Sequence, residues 1–160
     1  MIAVVAESPD TPDAAMLLDE LSDALLKITG SSGKGSFDTN DVRVANAIFV
    51  IARDKRGAAV GCGAFRPLEP GIAEIKRMYS RRTTPGIGAA ILFFLEREAA
   101  RLGYAALRLE TRVVNQRAVT FYERLGYRRI PNFGKYAGKA EAACFEKQLA
   151  PDNHQRGKSL

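Results

Sequence analysis

The sequence predicts an α/β fold, and three observations predict it. Short stretches alternate between apolar and polar residues, as strands do. Longer stretches repeat apolar residues every three or four positions, as helices do. The two kinds follow one another along the chain, with turn-forming residues between them. The predicted order is β-α-β-β-β-α-β-α-β, with a further short strand near residues 127–130.

Each element has its own local reason. "MIAVVAESPD" has no basic region ahead of its apolar residues, so it reads as a first strand and not a signal peptide. From Pro12, residues Ala14, Leu17, Leu18, Leu21, Leu25 and Ile28 recur at helical spacing, and Gly30 ends that helix. "GSSGKGSFDTND" is a Gly- and Ser-rich loop long enough to cover a ligand or to move. "NAIFVIARDKRGAAVGCGAFRPL" reads as two strands joined at "DKRG". In "IAEIKRMYS", strict alternation puts Ile75, Arg77 and Tyr79 on one face and Glu74, Lys76 and Met78 on the other. A long core helix follows from Gly86 to a stop at Gly103, with Ile87, Ile91, Phe94, Leu95, Ala99 and Leu102 along one stripe. "AALRLET" is another strand. Asn115 is a plausible N-cap for a short helix that buries Ala118, Phe121, Tyr122 and Leu125 and ends before Gly126. "EAACFEKQL" closes the sheet.

Composition bounds the function. The chain has 160 residues, 46% apolar and 26% charged, which suits a single domain over 1–150 with a flexible tail over 151–160. No apolar run approaches the roughly 20 residues that span a bilayer, so no membrane partner and a cytoplasmic location are expected. Cys62 and Cys144 lie far apart in apolar strands and read as buried, reduced thiols. No Cys/His cluster exists to hold a metal. The single histidine, His154, falls in the tail, so a His-based triad is excluded as a working hypothesis. The net charge of +6 favours anionic partners, yet no nucleic-acid recognition motif accompanies it.

The stretch "RRTTPGIGAAILFFLEREAARLGY" places basic residues and two glycines at a helix mouth. Free amides and the helix dipole there can seat a phosphate, and glycine lets it approach closely. The same residues also suit an ordinary tight turn. The third glycine of a dinucleotide fingerprint and the Gly-Lys-Ser/Thr of a P-loop are both missing.

Taken with "EIKRMYS", "LRLETRVVNQRAVTFYERLGY" and "CFEKQL", this stretch resembles the GNAT superfamily of acetyl-CoA-dependent N-acetyltransferases, over about residues 58–149. The resemblance implies a splayed, mostly antiparallel mixed sheet with helices on both faces. Acetyl-CoA would lie between the strand ending at Ser80 and the strand ending at Thr111. The backbone of Met78, Tyr79 and Ser80 would pair with the pantetheine. The amides of Gly86, Ile87, Gly88, Ala89 and Ala90 would seat the pyrophosphate. Asn115 would touch the pantetheine arm and Tyr122 would point at the thioester sulfur. Thr83 stands where the family pattern places Arg or Gln, and the loop is shorter than usual, so Arg82 or Arg81 is expected to supply the charge.

The chemistry expected on this resemblance is direct attack by a primary amine, with Tyr122 as general acid and Glu74 as base. Glu74 is read as facing the same way as Met78, and an ion pair with Lys76 or a neighbouring strand is its alternative role. Glu110 is the second candidate base. The acceptor is expected to be a small molecule. Arg66, Arg77, Arg108 and Arg112 either draw an anionic acceptor or are solvated surface charge, and "FGKY" and the long loop are candidate walls. A non-catalytic acyl-CoA sensor or scaffold is the competing reading, and a homodimer is left open.

Overall fold

The computed structural model describes residues 1–151, and His154 lies outside them along with the rest of the tail. One seven-stranded sheet runs in the order β1-β2-β3-β4-β5-β7-β6. Its strands are β1 (Ala3–Ala6), β2 (Ile48–Arg53), β3 (Ala59–Glu69), β4 (Ile72–Ser80), β5 (Ala106–Arg112), β6 (Arg128–Ile130) and β7 (Ala142–Gln148). All neighbours are antiparallel except β4 and β5, which are parallel. The expected closing strand, β7, inserts between β5 and the short edge strand β6.

Three helices form where the apolar periodicity placed them. Helix α1 (Pro12–Thr29) starts where Thr11 accepts a hydrogen bond from the Ala14 amide and stops at Gly30, whose φ of 80° suits a left-handed cap. Helices α2 (Ile87–Arg101) and α3 (Gln116–Arg124) pack on the opposite face. One core cluster joins α2 and α3 to the sheet through Ile91, Leu95 and Tyr122 against Phe65, Leu107 and Phe145. A second joins α1 to the other face through Leu17, Ile51, Cys62 and Ala64. Cys62 and Cys144 are buried free thiols in different clusters. Among the described residues, no helix is long and apolar enough to cross a membrane.

Two departures from a regular sheet create the site. First, β4 and β5 pair only over Ile72–Ala106, Ala73–Leu107 and Glu74–Arg108. Beyond Glu74 the strands part, while β5 stays paired with β7 as far as Arg112. The β5-facing edge of β4 therefore has no strand partner from Ile75 onward. Second, the β3–β4 register slips between Cys62–Tyr79 and Ala64–Lys76, so Gly63 faces both Arg77 and Met78. This is a β-bulge, and Arg77 carries it with a φ of 55°. The extra residue corrects the strict alternation expected for β4. Met78 packs with Ile75 on the α2 face, and Tyr79 packs with Cys62 on the α1 face. Glu74 therefore does not share a face with Met78.

Candidate active site

The parted strands open a cavity floored by β4 and β5 and walled by α1, α3, the 30–38 loop and Tyr136. The long Gly/Ser loop reaches it through Ser31, Gly33 and Phe37, as its length suggested. The "FGKY" segment reaches it through Tyr136.

At the fork, Glu74 is buried, with 1% of its surface exposed. Burial of a charge is tolerated only when it is paired and hydrogen-bonded, and Glu74 is both. One oxygen accepts from Arg66 Nη2 at 3.0 Å, and the other accepts from the Tyr136 hydroxyl at 3.0 Å and lies 3.4 Å from Lys76 Nζ. Lys76 Nζ also donates to Tyr136 Oη at 3.0 Å. Burial lowers the pKa of Lys76, against the pull of Glu74, and raises that of Tyr136. Only the position of "FGKY" hinted at Tyr136, whereas Lys76 is the partner expected for Glu74 in its alternative role, and the ion pairs with Lys76 and with Arg66 of the neighbouring strand both form.

Glu110 lines the same cavity from β5. Its carboxylate lies 2.5 Å from Arg112 Nη1. Burial raises its pKa above the ordinary carboxylate value, with Arg112 opposing. Tyr122 enters from α3 and is 7% exposed. Its ring sits edge-on to Phe121 and Tyr127. Its hydroxyl has no hydrogen-bond partner among the described residues, and burial raises its pKa, so it holds its proton at neutral pH. Asn115 caps α3 as expected, its Oδ1 accepting from the Ala118 amide at 3.3 Å, and it too lines the cavity.

Of the remaining predicted residues, Met78 lines the cavity, whereas Tyr79, Ser80, Arg82 and residues 86–90 are outside its lining. Met78, Tyr79 and Ser80 occupy the unpaired edge of β4. Gly86 caps α2 with a φ of 89°. Among the described residues nothing takes the amide protons of Ile87, Gly88 and Ala89, as expected in a first helical turn. The Ala90 N–H donates to Gly86 O at 3.0 Å, so it is not among the free amides. Gly88 has a separate reason to be glycine: a Cβ there would lie 3.2 Å from the Phe121 ring. Arg81 is held by Glu20 of α1, at 2.6 Å and 3.0 Å, whereas Arg82 is exposed with no partner among the described residues.

Comparison with known proteins gives a consistent picture. The sequence model described as "Acetyltransferase (GNAT) family" matches residues 15–127. An IAA acetyltransferase of Azospirillum brasilense is 30% identical over 151 residues, 92% of this chain and 98% of that protein. Among solved structures, a candidate acyl-CoA N-acyltransferase of Klebsiella pneumoniae superposes with a TM-score of 0.78 at 27% identity, covering 94% of this chain and 99% of that one. An acetyltransferase of Streptococcus agalactiae, 18% identical, shares the fold with a TM-score of 0.75 over 92% of this chain and 98% of its own.

Proposed function

This chain belongs to the acetyltransferase (GNAT) family, and from that premise we propose that it acetylates a primary amine of a small molecule in the cavity between β4 and β5, with Tyr122 as general acid. The family is acyl-CoA-dependent, so the first question is whether these residues suit acetyl-CoA. They do. The free edge of β4 at Met78, Tyr79 and Ser80 offers backbone donors and acceptors to an extended amide chain. The free amides of Ile87, Gly88 and Ala89 offer donors to a pyrophosphate at the positive end of α2. Arg82, exposed and close in sequence, is the cation we assign to this seat, where Thr83 carries no charge. Asn115 spends its oxygen on the helix cap and keeps its amide N–H groups for a ligand.

When bound, acetyl-CoA supplies an acetyl thioester, an acyl carbon open to attack with a thiol as leaving group. The protein's residues handle the protons. The observation that carries the reading is the Tyr122 hydroxyl: protonated, without a hydrogen-bond partner among the described residues, and on the cavity wall. A phenol in that state can give its proton to a departing thiolate.

An amine nucleophile must lose a proton, and two carboxylates are at hand. Glu74 is already engaged by Arg66, Lys76 and Tyr136. Its fixed ion pairs suit a role in holding Tyr136 and Lys76 in place. Glu110 lines the cavity, and burial raises its proton affinity against the pull of Arg112, the direction that suits a base, and we assign that role to it. A base must be deprotonated to act, so activity should fall as pH drops through the elevated pKa of Glu110. In Glu110→Gln the acidic limb of the kcat/KM profile should vanish while the limb from the amine itself remains. An unchanged acidic limb would return the base role to Glu74.

The test of the whole reading is calorimetric titration with acetyl-CoA and with its dephospho and desulfo analogues, followed by thiol release with a panel of primary amines. We expect tight binding that depends on the pyrophosphate-bearing cofactor, and turnover with part of the panel. Binding without turnover on any amine would favour a sensor or scaffold instead.

A further inference from the structure

The charged residues lining the cavity are Glu74, Lys76, Arg77, Glu110 and Arg112, three cations against two carboxylates. Two pairs close among them, Lys76 with Glu74 and Arg112 with Glu110. Of the other two arginines singled out in the sequence, Arg66 also pairs with Glu74, and Arg108 pairs with Glu146 and Glu69. Arg77 is left over. Among the described residues no carboxylate lies within ion-pair distance of it.

Arg77 is nevertheless held in a defined place. Its backbone sits at the β-bulge with a φ of 55°, a conformation costly for a non-glycine residue. Its Nη2 donates to Ser22 Oγ of α1 at 3.0 Å, and its Nη1 lies 3.4 Å from the Ser32 carbonyl oxygen. The guanidinium rests against the Phe37 ring, 5.7 Å from its centroid. Gly33 makes the room: a Cβ there would come within 3.2 Å of Arg77 Nη1. The Nε–H is buried and has no partner among the described residues. An arginine fork offers five N–H donors, and these contacts use two. An unpaired, partly desolvated guanidinium with spare donors on a cavity wall is a poor strut and a good anion seat.

We propose that Arg77 anchors a carboxylate on the acceptor, so that the substrate carries an amine and a carboxylate on one apolar body. A single guanidinium without a carboxylate of its own suits a single carboxylate, which it can meet with two parallel N–H donors. The body is apolar because Leu21, Leu25 and Phe37 wall the same end of the cavity. Amino acids with apolar side chains are the simplest members of this class. The inference rests on the reading of the cavity as the acceptor site.

The test compares carboxylates with their carboxamides, which share shape but not charge. N-acetyl derivatives of leucine, methionine and phenylalanine, and the matching carboxamides, are titrated into the CoA-saturated protein. At least one carboxylate should bind about 10- to 100-fold more tightly than its carboxamide, the range for hydrogen bonds to charged groups. In Arg77→Gln that ratio should collapse to within about twofold of unity, and Arg77→Lys should fall between, since it keeps the charge and loses the fork. A merely structural Arg77 would lower Tm without moving the ratio. The proposal is overturned if no carboxylate in the panel outbinds its carboxamide in the wild-type protein, or if the preference survives in Arg77→Gln. The wild-type comparison decides the matter even if the variants do not fold. Thiol release with the free amino acids and their carboxamides separates the two readings. Equal turnover of both would keep the acetyltransferase reading and sink this one. An Arg77-dependent carboxylate preference without turnover of any amine would do the reverse.

Discussion

Tyr122→Phe is expected to lower kcat by about 10²- to 10⁴-fold, the range for loss of a positioned acid, with acetyl-CoA affinity and fold retained. The substitution removes one oxygen and leaves the ring between Phe121 and Tyr127, at 5.1 Å and 5.7 Å between centroids. Tyr122 lines the open cavity and no hydrogen bond among the described residues is lost with its hydroxyl, so Tm should hold. The catalytic loss should appear equally in kcat and kcat/KM, as for an interaction made only in the transition state. Burial raises the phenol pKa above its ordinary value, so the wild-type enzyme should show no alkaline decline from this group below about pH 10. Steady-state thiol release at saturating acetyl-CoA measures the rate, and calorimetry measures the affinity. A variant that turns over at the wild-type rate would take Tyr122 out of the mechanism.

What could be read from the sequence, and what could not, divides along local and non-local physics. The α1 boundaries were legible because Thr11, Pro12 and Gly30 are cap residues with local reasons. The same holds for the mouth of α2 at Gly86 and the Asn115 cap of α3. Tyr122 and Asn115 reach the cavity because they share one helix whose phase the apolar stripe fixes. The bulge at Arg77 was not legible, since a positive φ normally announces itself through Gly or Asn and here falls on arginine. Missing it inverted the outer half of β4 and put Glu74 with Met78. The Glu74–Lys76 pair was legible as an alternative role for Glu74, but the place of Tyr136 in their network was hidden. Its members are 62 and 60 residues apart in sequence from Tyr136, and only the pairing of β5 with β7 carries the Tyr136 segment to the fork. The pairing state of each arginine is of the same kind. Four looked alike as charge, and tertiary contacts left one of them without a carboxylate.

Gly61→Ala should cost both stability and cofactor binding, and its effect follows from where one methyl group would have to go. Gly61 lies on β3 opposite Ser80. A Cβ there would stand 2.8 Å from the Tyr79 carbonyl oxygen, 2.8 Å from Ile91 Cδ1 and 2.9 Å from Ile87 Cγ2. The tip of Ile91 can turn aside. Ile87 cannot easily do so, because a β-branched side chain on a helix has one strongly preferred rotamer. The Tyr79 oxygen is backbone, and it moves only if β4 moves. Overpacking of this kind costs about 1–3 kcal/mol, which denaturant or thermal melting will show. The same displacement shifts Tyr79 and Ser80 on the free edge of β4 and the first turn of α2 at Ile87. Those two elements are the proposed seats of pantetheine and pyrophosphate, so acetyl-CoA affinity should fall about tenfold or more, one such factor corresponding to about 1.4 kcal/mol. Gly35→Ala is the control, since a Cβ there meets nothing within 4 Å, and a surface change of that kind should stay within about 0.5 kcal/mol. If Gly61→Ala lowers Tm yet binds acetyl-CoA like the wild type, the cofactor is not held by the outer half of β4 and the first turn of α2 together. If neither quantity changes, the spacing between β3 and α2 is looser than the close approach at Gly61 requires. Loss of both, with Gly35→Ala silent, ties the packing of α2 on β3 directly to the seat in which the acetyl donor is held.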